Sequence, residues 1–230
     1  MSDNVVLVEV ADGVMTITLN RPKALNALTQ ELADALLETL TGLEHDSDVR
    51  VVVLRGAGGT FMAGGDVKYF HEVASRGIPV ETRALFEALI PAVHRTILVL
   101  NHMPQPVIAS VEGAVAGFGL SLAMATDLVI AAQGTKFTLA YSRIATSPDG
   151  GSTYTLPRLV GSKKAMVFAL LGGVFDAAEP ERLGMVNRVL PADSLEAETR
   201  KLAESLARGH AHAYARTKAL LRGSLAASLQ

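Results

Sequence analysis

The chain has 230 residues, 49% hydrophobic and 19% charged, with a net charge of −2. That balance predicts a compact fold, with neither nucleic acid nor an anionic membrane as the main partner. The absence of cysteine excludes thiol catalysis, disulfides and thiolate metal sites.

Val5–Val10 and Val14–Asn20 flank Asp12-Gly13, and Met15, Ile17 and Leu19 alternate with Thr16 and Thr18. This pattern predicts a β-hairpin. Thr29 is placed to cap a helix carrying Leu28, Leu32, Leu36 and Leu40 at helical spacing. The β-branched run Val49–Leu54 predicts a buried strand, and Phe61-Met-Ala-Gly-Gly-Asp66 reads as a glycine loop. Residues 71–80 lack a clean period and read as a flexible connection. Glu81 to Leu100 predicts a longer helix, kinked or split by Pro91.

Residues 106–127 form the centre of the pattern. Val107–Val111 reads as a buried strand, Gly113, Gly117 and Gly119 as tight turns, and Leu120–Ala125 as an uncharged, buried helix. Leu128–Ala132, Phe137–Ala140 and Val186–Leu190 read as short strands, and Ser162–Leu171 as a helix stopped by Gly172-Gly173. Asp193 and Glu196 suit a capping box opening a helix to Gly209, and a last helix runs from Ala211 to about Ser228. The order predicts an α/β core with a helical C-terminal appendage. No stretch reads as a membrane span, and no basic segment followed by an apolar run opens the chain. The location expected is cytoplasmic.

Each glycine loop follows a β-rich segment. One backbone N–H from each, with Ala63 and Phe118 as the natural donors, would make a two-donor oxyanion hole. Taken alone, either loop is better explained as a turn.

Five stretches, in order, resemble the enoyl-CoA hydratase/isomerase (crotonase) family. They are Thr18-Leu-Asn-Arg-Pro-Lys-Ala-Leu-Asn-Ala27, Phe61–Asp66, Val111-Glu-Gly-Ala-Val-Ala-Gly-Phe-Gly119, Leu122–Asp127 and Leu156-Pro-Arg-Leu-Val-Gly161. The resemblance implies a crotonase-like spiral of ββα turns over residues 1–190 and a helical trimerisation region over 191–230. It implies a homotrimer or dimer of trimers, and a chain that stops earlier than the family's usual helical tail. It also implies an acyl-CoA thioester substrate, with no cofactor beyond the coenzyme A of that thioester. By position, the hole falls on Ala63 and Phe118. Substrate contacts fall on Lys23, Ala24, Leu25, Ala63, Gly64, Gly65, Asp66, Gly117, Ser121 and Tyr141. Lys23 and Lys68 are candidates to meet the CoA phosphates.

Ser121 and Tyr141 stand where hydratases of the family carry two glutamates, which argues against hydration. Asp149, in Ser147-Pro-Asp-Gly-Gly151, stands where some isomerases and the chlorobenzoyl-CoA dehalogenases keep a catalytic aspartate. The resemblance therefore points to a double-bond isomerase with Asp149 as the acid/base. The alternatives are a hydratase-like lyase, a dehalogenase-like hydrolase with Asp149 as nucleophile, and a non-catalytic acyl-CoA binder. Tyr141 is expected to line the acyl pocket, with a bond to Asp149 or to substrate as the alternative, and Ser121 to leave room for the acyl chain.

A serine-hydrolase elbow at Gly119-Leu-Ser-Leu-Ala123 is disfavoured, because Ser121 does not directly follow a strand. The six histidines show no metal-ligand pairing; His210 and His212 would point apart.

Overall fold

The structure is a computed structural model that describes residues 4–43, 46–224, 226 and 228. Strands β1 (Val6–Ala11) and β2 (Val14–Leu19) form the expected antiparallel hairpin. Asp12 and Gly13 both take positive φ, 52° and 76°. That is the type I′ geometry which matches the twist of the flanking strands. β2 then pairs in parallel with β3 (Val51–Gly56). The sheet continues through β4 (Val107–Val111), β6 (Leu128–Ala132) and β9 (Arg188–Leu190), all parallel. Its order is β1-β2-β3-β4-β6-β9. A smaller sheet joins β5 (Ala114–Ala116), β7 (Lys136–Thr138) and β8 (Phe175–Asp176).

Ile17, Leu19, Val52, Leu54, Ala109 and Val111 face one large core. Against it lie α1 (Gln30–Gly42), entered through a Thr29 side chain that accepts from the Leu32 amide at 3.3 Å, and α3 (Pro79–His102). The other face of the sheet carries a second cluster, in which Val51, Val53, Ile108 and Ile130 meet Leu195, Ala203 and Ala207 of α8 (Leu195–Ala207). The C-terminal stretch is helical, ending in α9 (Ala211–Ser224); its expected extension to about Ser228 falls partly outside the described residues.

Several local expectations need correction. The connection expected at 71–80 is largely helical: α2 (Val67–Ser75) takes its first half and α3 begins at Pro79, and only Val73 of α2 is buried, so no period shows in the sequence. Pro91 does not split α3. Pro91 and Glu87 both face outward, so the carbonyl that proline leaves without a donor is open to water. The capping box at Asp193 does not form, since Glu196 turns to Arg55 at 3.1 Å and Arg200 at 3.3 Å. Contrary to the sequence reading, α3 is also long and apolar enough to cross a membrane by length and composition, with a mean hydropathy of 1.3. Its Leu89, Val93, Ile97 and Leu100 nevertheless lie in the protein core.

Candidate active site

The site gathers where the parallel strands end. From β3 the chain passes through Gly56 and returns at Phe61–Asp66. From β4 it turns at Gly113, whose φ is +63° and whose Cβ, if present, would lie 2.3 Å from the Gly59 carbonyl oxygen. Only glycine fits there. The two returning segments then run in parallel: the Met62 amide donates to the Ala114 oxygen at 3.0 Å, and the Ala116 amide donates to the Met62 oxygen at 2.9 Å. Two residues on, Gly64 and Gly117 touch, and a Cβ on Gly117 would come within 3.4 Å of the Gly64 Cα. Gly117 (φ 50°) leads straight into α4 (Phe118–Ala125), all eight residues of which are buried.

This pairing decides which amides remain free. The Ala63 amide donates to the Leu25 carbonyl at 3.0 Å, so Ala63 is not the donor expected of it. Leu28 donates to the Gly64 oxygen at 2.7 Å, and Asp66 donates to the Leu28 oxygen at 2.9 Å. In a parallel bridge of that kind the N–H of the intervening residue, Gly65, points away from Leu28. Among the described residues the amides of Gly64, Gly65, Phe118 and Gly119 donate to no protein acceptor. Gly65 and Phe118 each lie three residues beyond the paired Met62 and Val115. Phe118 also opens a helix without a side-chain cap, where partial positive charge collects.

Beside these amides stand Ser121, Tyr141 and Asp149. The Tyr141 hydroxyl donates to Asp149 Oδ1 at 2.5 Å, so Tyr141 does more than line a wall. The Ser121 hydroxyl donates to the Asp149 main-chain oxygen at 3.2 Å, which makes Ser121 a fixing contact as well as a small residue. Helix α5 (Ser152–Val160) begins just after this loop, and the Ser152 hydroxyl donates to the same oxygen at 2.9 Å. A Cβ on Gly150 would lie 2.8 Å from both Phe118 and Ser121 side-chain atoms, so the aspartate loop is pressed onto the start of α4.

Burial pushes the Asp149 carboxyl above its ordinary range, opposed by the Tyr141 hydrogen bond and then by the charge of His94. Burial likewise raises the Tyr141 phenol, with the Asp149 charge adding to it, so the phenol stays a donor.

Two other expectations change. Both Asp66 carboxylate oxygens are already engaged within the protein: Oδ2 accepts from Arg21 at 3.0 Å, and Oδ1 accepts from the Tyr69 amide at 3.2 Å, capping α2. Leu25 serves through its carbonyl, and it sits in a left-handed turn (φ 51°) after the 3-10 turn Pro22–Ala24. Lys23 and Lys68 are exposed and form no ion pair among the described residues.

The sequence reading missed Asn26 and His94. Buried Asn26 donates to the Ala57 and Thr60 oxygens at 2.9 and 2.6 Å and accepts from the Arg21 amide at 2.8 Å, tying the first turn to the glycine loop. His94 lies one helical turn before Ile97, which borders Gly151. Only its nearness to Asp149 in the folded chain could have singled it out. A cavity of about 740 Å³ lies on the opposite sheet face, under α8. Several of its polar groups are engaged with one another, Arg55 with Glu196 and Thr18, and Ser110 with Thr199.

The profile of the enoyl-CoA hydratase/isomerase family matches residues 9–230. The chain is 38% identical over 202 residues to 1,2-epoxyphenylacetyl-CoA isomerase of Escherichia coli, a match covering 88% of this chain and 76% of that one. It is 33% identical over 211 residues to a 4-chlorobenzoyl coenzyme A dehalogenase of an Arthrobacter species, covering 92% and 75%. Among solved structures, an enoyl-CoA hydratase from Mycobacterium avium subsp. paratuberculosis superposes with a TM-score of 0.87 at 33% identity, covering 100% of this chain and 89% of that one.

Proposed function

The chain belongs to the enoyl-CoA hydratase/isomerase family and has its crotonase fold, and on that premise we propose that it shifts a double bond in an acyl-CoA thioester. The amides of Gly65 and Phe118 receive the thioester oxygen. Asp149 Oδ2 takes a proton from the carbon next to the thioester carbonyl of a 3-unsaturated acyl chain. The electron pair moves onto the oxygen as a dienolate, which the two amides stabilise. The same proton is then returned two carbons further along, leaving the 2-unsaturated product and the original carboxylate.

The observation that carries this reading is the single carboxylate, raised by burial toward the range useful in a base and placed beside the free amide of α4. Hydration draws on a pair of carboxylates that grip a water, and Ser121 and Tyr141 supply none. Lys23, exposed two residues before the Leu25 carbonyl that takes the Ala63 amide, is suited to a CoA phosphate. The exposed Leu170, Leu171 and Val174 support assembly with further copies, a trimer being the form inferred.

The test is conversion of trans-3-hexenoyl-CoA into the conjugated 2-enoyl thioester, followed by its absorbance. Asp149→Asn is expected to keep thioester binding and to lower turnover at least about a hundredfold. Unchanged turnover would move the chemistry to another residue. Release of halide from an aryl-CoA, with solvent oxygen entering the product through Asp149, would make the aspartate a nucleophile instead.

A further inference from the structure

Tyr141 occupies a position prepared on three sides. It opens a 3-10 turn (Tyr141–Ile144) bounded by two alanines in the left-handed region, Ala140 at φ 58° and Ala145 at φ 56°. Its amide donates to the Leu139 oxygen at 2.8 Å, and its carbonyl accepts from Thr146 at 3.2 Å. The ring lies over Gly117, with Cζ 4.0 Å from where a Cβ on that glycine would stand. Its side is thus against the loop that presents the Phe118 amide, and its hydroxyl is on Asp149 Oδ1. No other side chain hydrogen-bonds that carboxylate among the described residues.

We infer that Tyr141 is a positioning residue: by holding Oδ1 of Asp149 it fixes the carboxylate's rotation and leaves Oδ2 as the one oxygen that exchanges a proton with the substrate. This rests on the isomerase reading of the site. The main chain of the aspartate is already anchored by Ser121 and Ser152, so rotation about the side-chain bonds is the freedom left to remove. Tyr141 removes it.

The bond has a second effect with a definite sign. A donor to a carboxylate favours the ionised form, and the base must be ionised to work. Without the hydroxyl, burial acts on Asp149 with less opposition, and its titration moves to higher pH. The groups that face the carboxyl are Tyr141 from the turn and His94 from α3; α4 contributes the uncharged Ser121, and no titratable group of α5 acts on it. His94 remains in place when Tyr141 is changed, so a shift caused by Tyr141 is separable from it.

The experiment compares wild type, Tyr141→Phe and a protein carrying 2,3,5-trifluorotyrosine at position 141, a stronger donor of nearly the same shape. Two readouts are followed against pH: turnover of trans-3-hexenoyl-CoA, and the Asp149 carboxyl carbon by NMR of aspartate-labelled protein without substrate. Tyr141→Phe is expected to move both the acid limb of kcat and the NMR midpoint upward, with KM unchanged. Turnover falls roughly tenfold on the acid limb and recovers toward wild type above it. The fluorinated protein moves both readouts downward, and it decides the matter if Tyr141→Phe does not fold. An unmoved NMR midpoint, or a kcat that returns fully to the wild-type value above the limb, overturns the inference. Turnover that survives Asp149→Asn overturns the isomerase reading beneath it, and the NMR midpoint still reports whether the Tyr141 bond controls the carboxyl.

Discussion

Helices α4 and α9 are attached to the protein by opposite means. All eight residues of α4 are buried and none is charged, whereas α9 buries none of its fourteen. α9 is held by charge: Lys218 Nζ lies 2.7 Å from Asp127 Oδ2, and Arg222 Nη2 lies 2.7 Å from Asp127 Oδ1. Lys218 also donates to the Gln105 oxygen, and Arg222 to the oxygens of Leu100 and Ala125 and to Asn101. Packing of the first kind has no slack and ignores salt. Attachment of the second kind depends on ionisation and on partial exclusion of water.

The contrast can be broken at either end. Gly119→Ala is expected to have the largest effect, since its Cβ would stand 2.5 Å from the Met62 carbonyl oxygen, a backbone atom. A loss of about 3 kcal/mol in denaturant unfolding is expected. Asp127→Asn leaves Lys218 and Arg222 without their shared carboxylate. Because the three side chains keep some exposure, a loss of about 2 kcal/mol is expected.

Raising salt from 0.05 to 1 M sharpens the distinction further. Hydrogen exchange should quicken in α9 and stay constant in α4; equal responses would mean that α9 is held by something other than charge.

Asp149, pressed against α4, carries its own cost. Its carboxyl titrates above the unfolded value, so the folded chain loses stability as pH rises from the ordinary carboxylate range through that raised value. Asp149→Asn should therefore melt above wild type at pH 7, with the difference vanishing below about pH 4. The smallest effect belongs to a purely exposed pair. Arg83 reaches Glu87 at 2.6 Å on the outer side of α3, and Arg83→Ala should change stability by less than about 0.5 kcal/mol.

What could be read in the sequence follows the same division. The strand, glycine loop and apolar helix of residues 106–127 announce themselves because local pattern and burial agree there. Phe118 is picked out by the glycines on either side of it, although the helix it opens reads from the sequence as beginning at Leu120. The second donor is not, because the choice between Ala63 and Gly65 depends on a carbonyl from Leu25 and a bridge to Leu28, both in a different segment. Asp149 was legible through its resemblance to relatives, and its bond to Tyr141 only as the alternative to a lining role. Tyr141 reaches it only because a turn between two left-handed alanines points the ring back, and alanine gives no sign of that conformation. The capping role of Asp66 was not legible for a related reason, since a carboxylate in a glycine loop reads equally as a substrate contact or a helix cap.

Arg222 gives the C-terminal helix a wider reach. Its guanidinium closes the ends of both α3 and α4, taking the carbonyls of Leu100 and Ala125. Those two helices carry His94, whose charge reaches Asp149, and Phe118, which the neighbouring Gly150 presses against. One guanidinium on the C-terminal helix thus ties the ends of α3 and α4 together, and its removal would be felt as loosening between those two helices before any loss of fold.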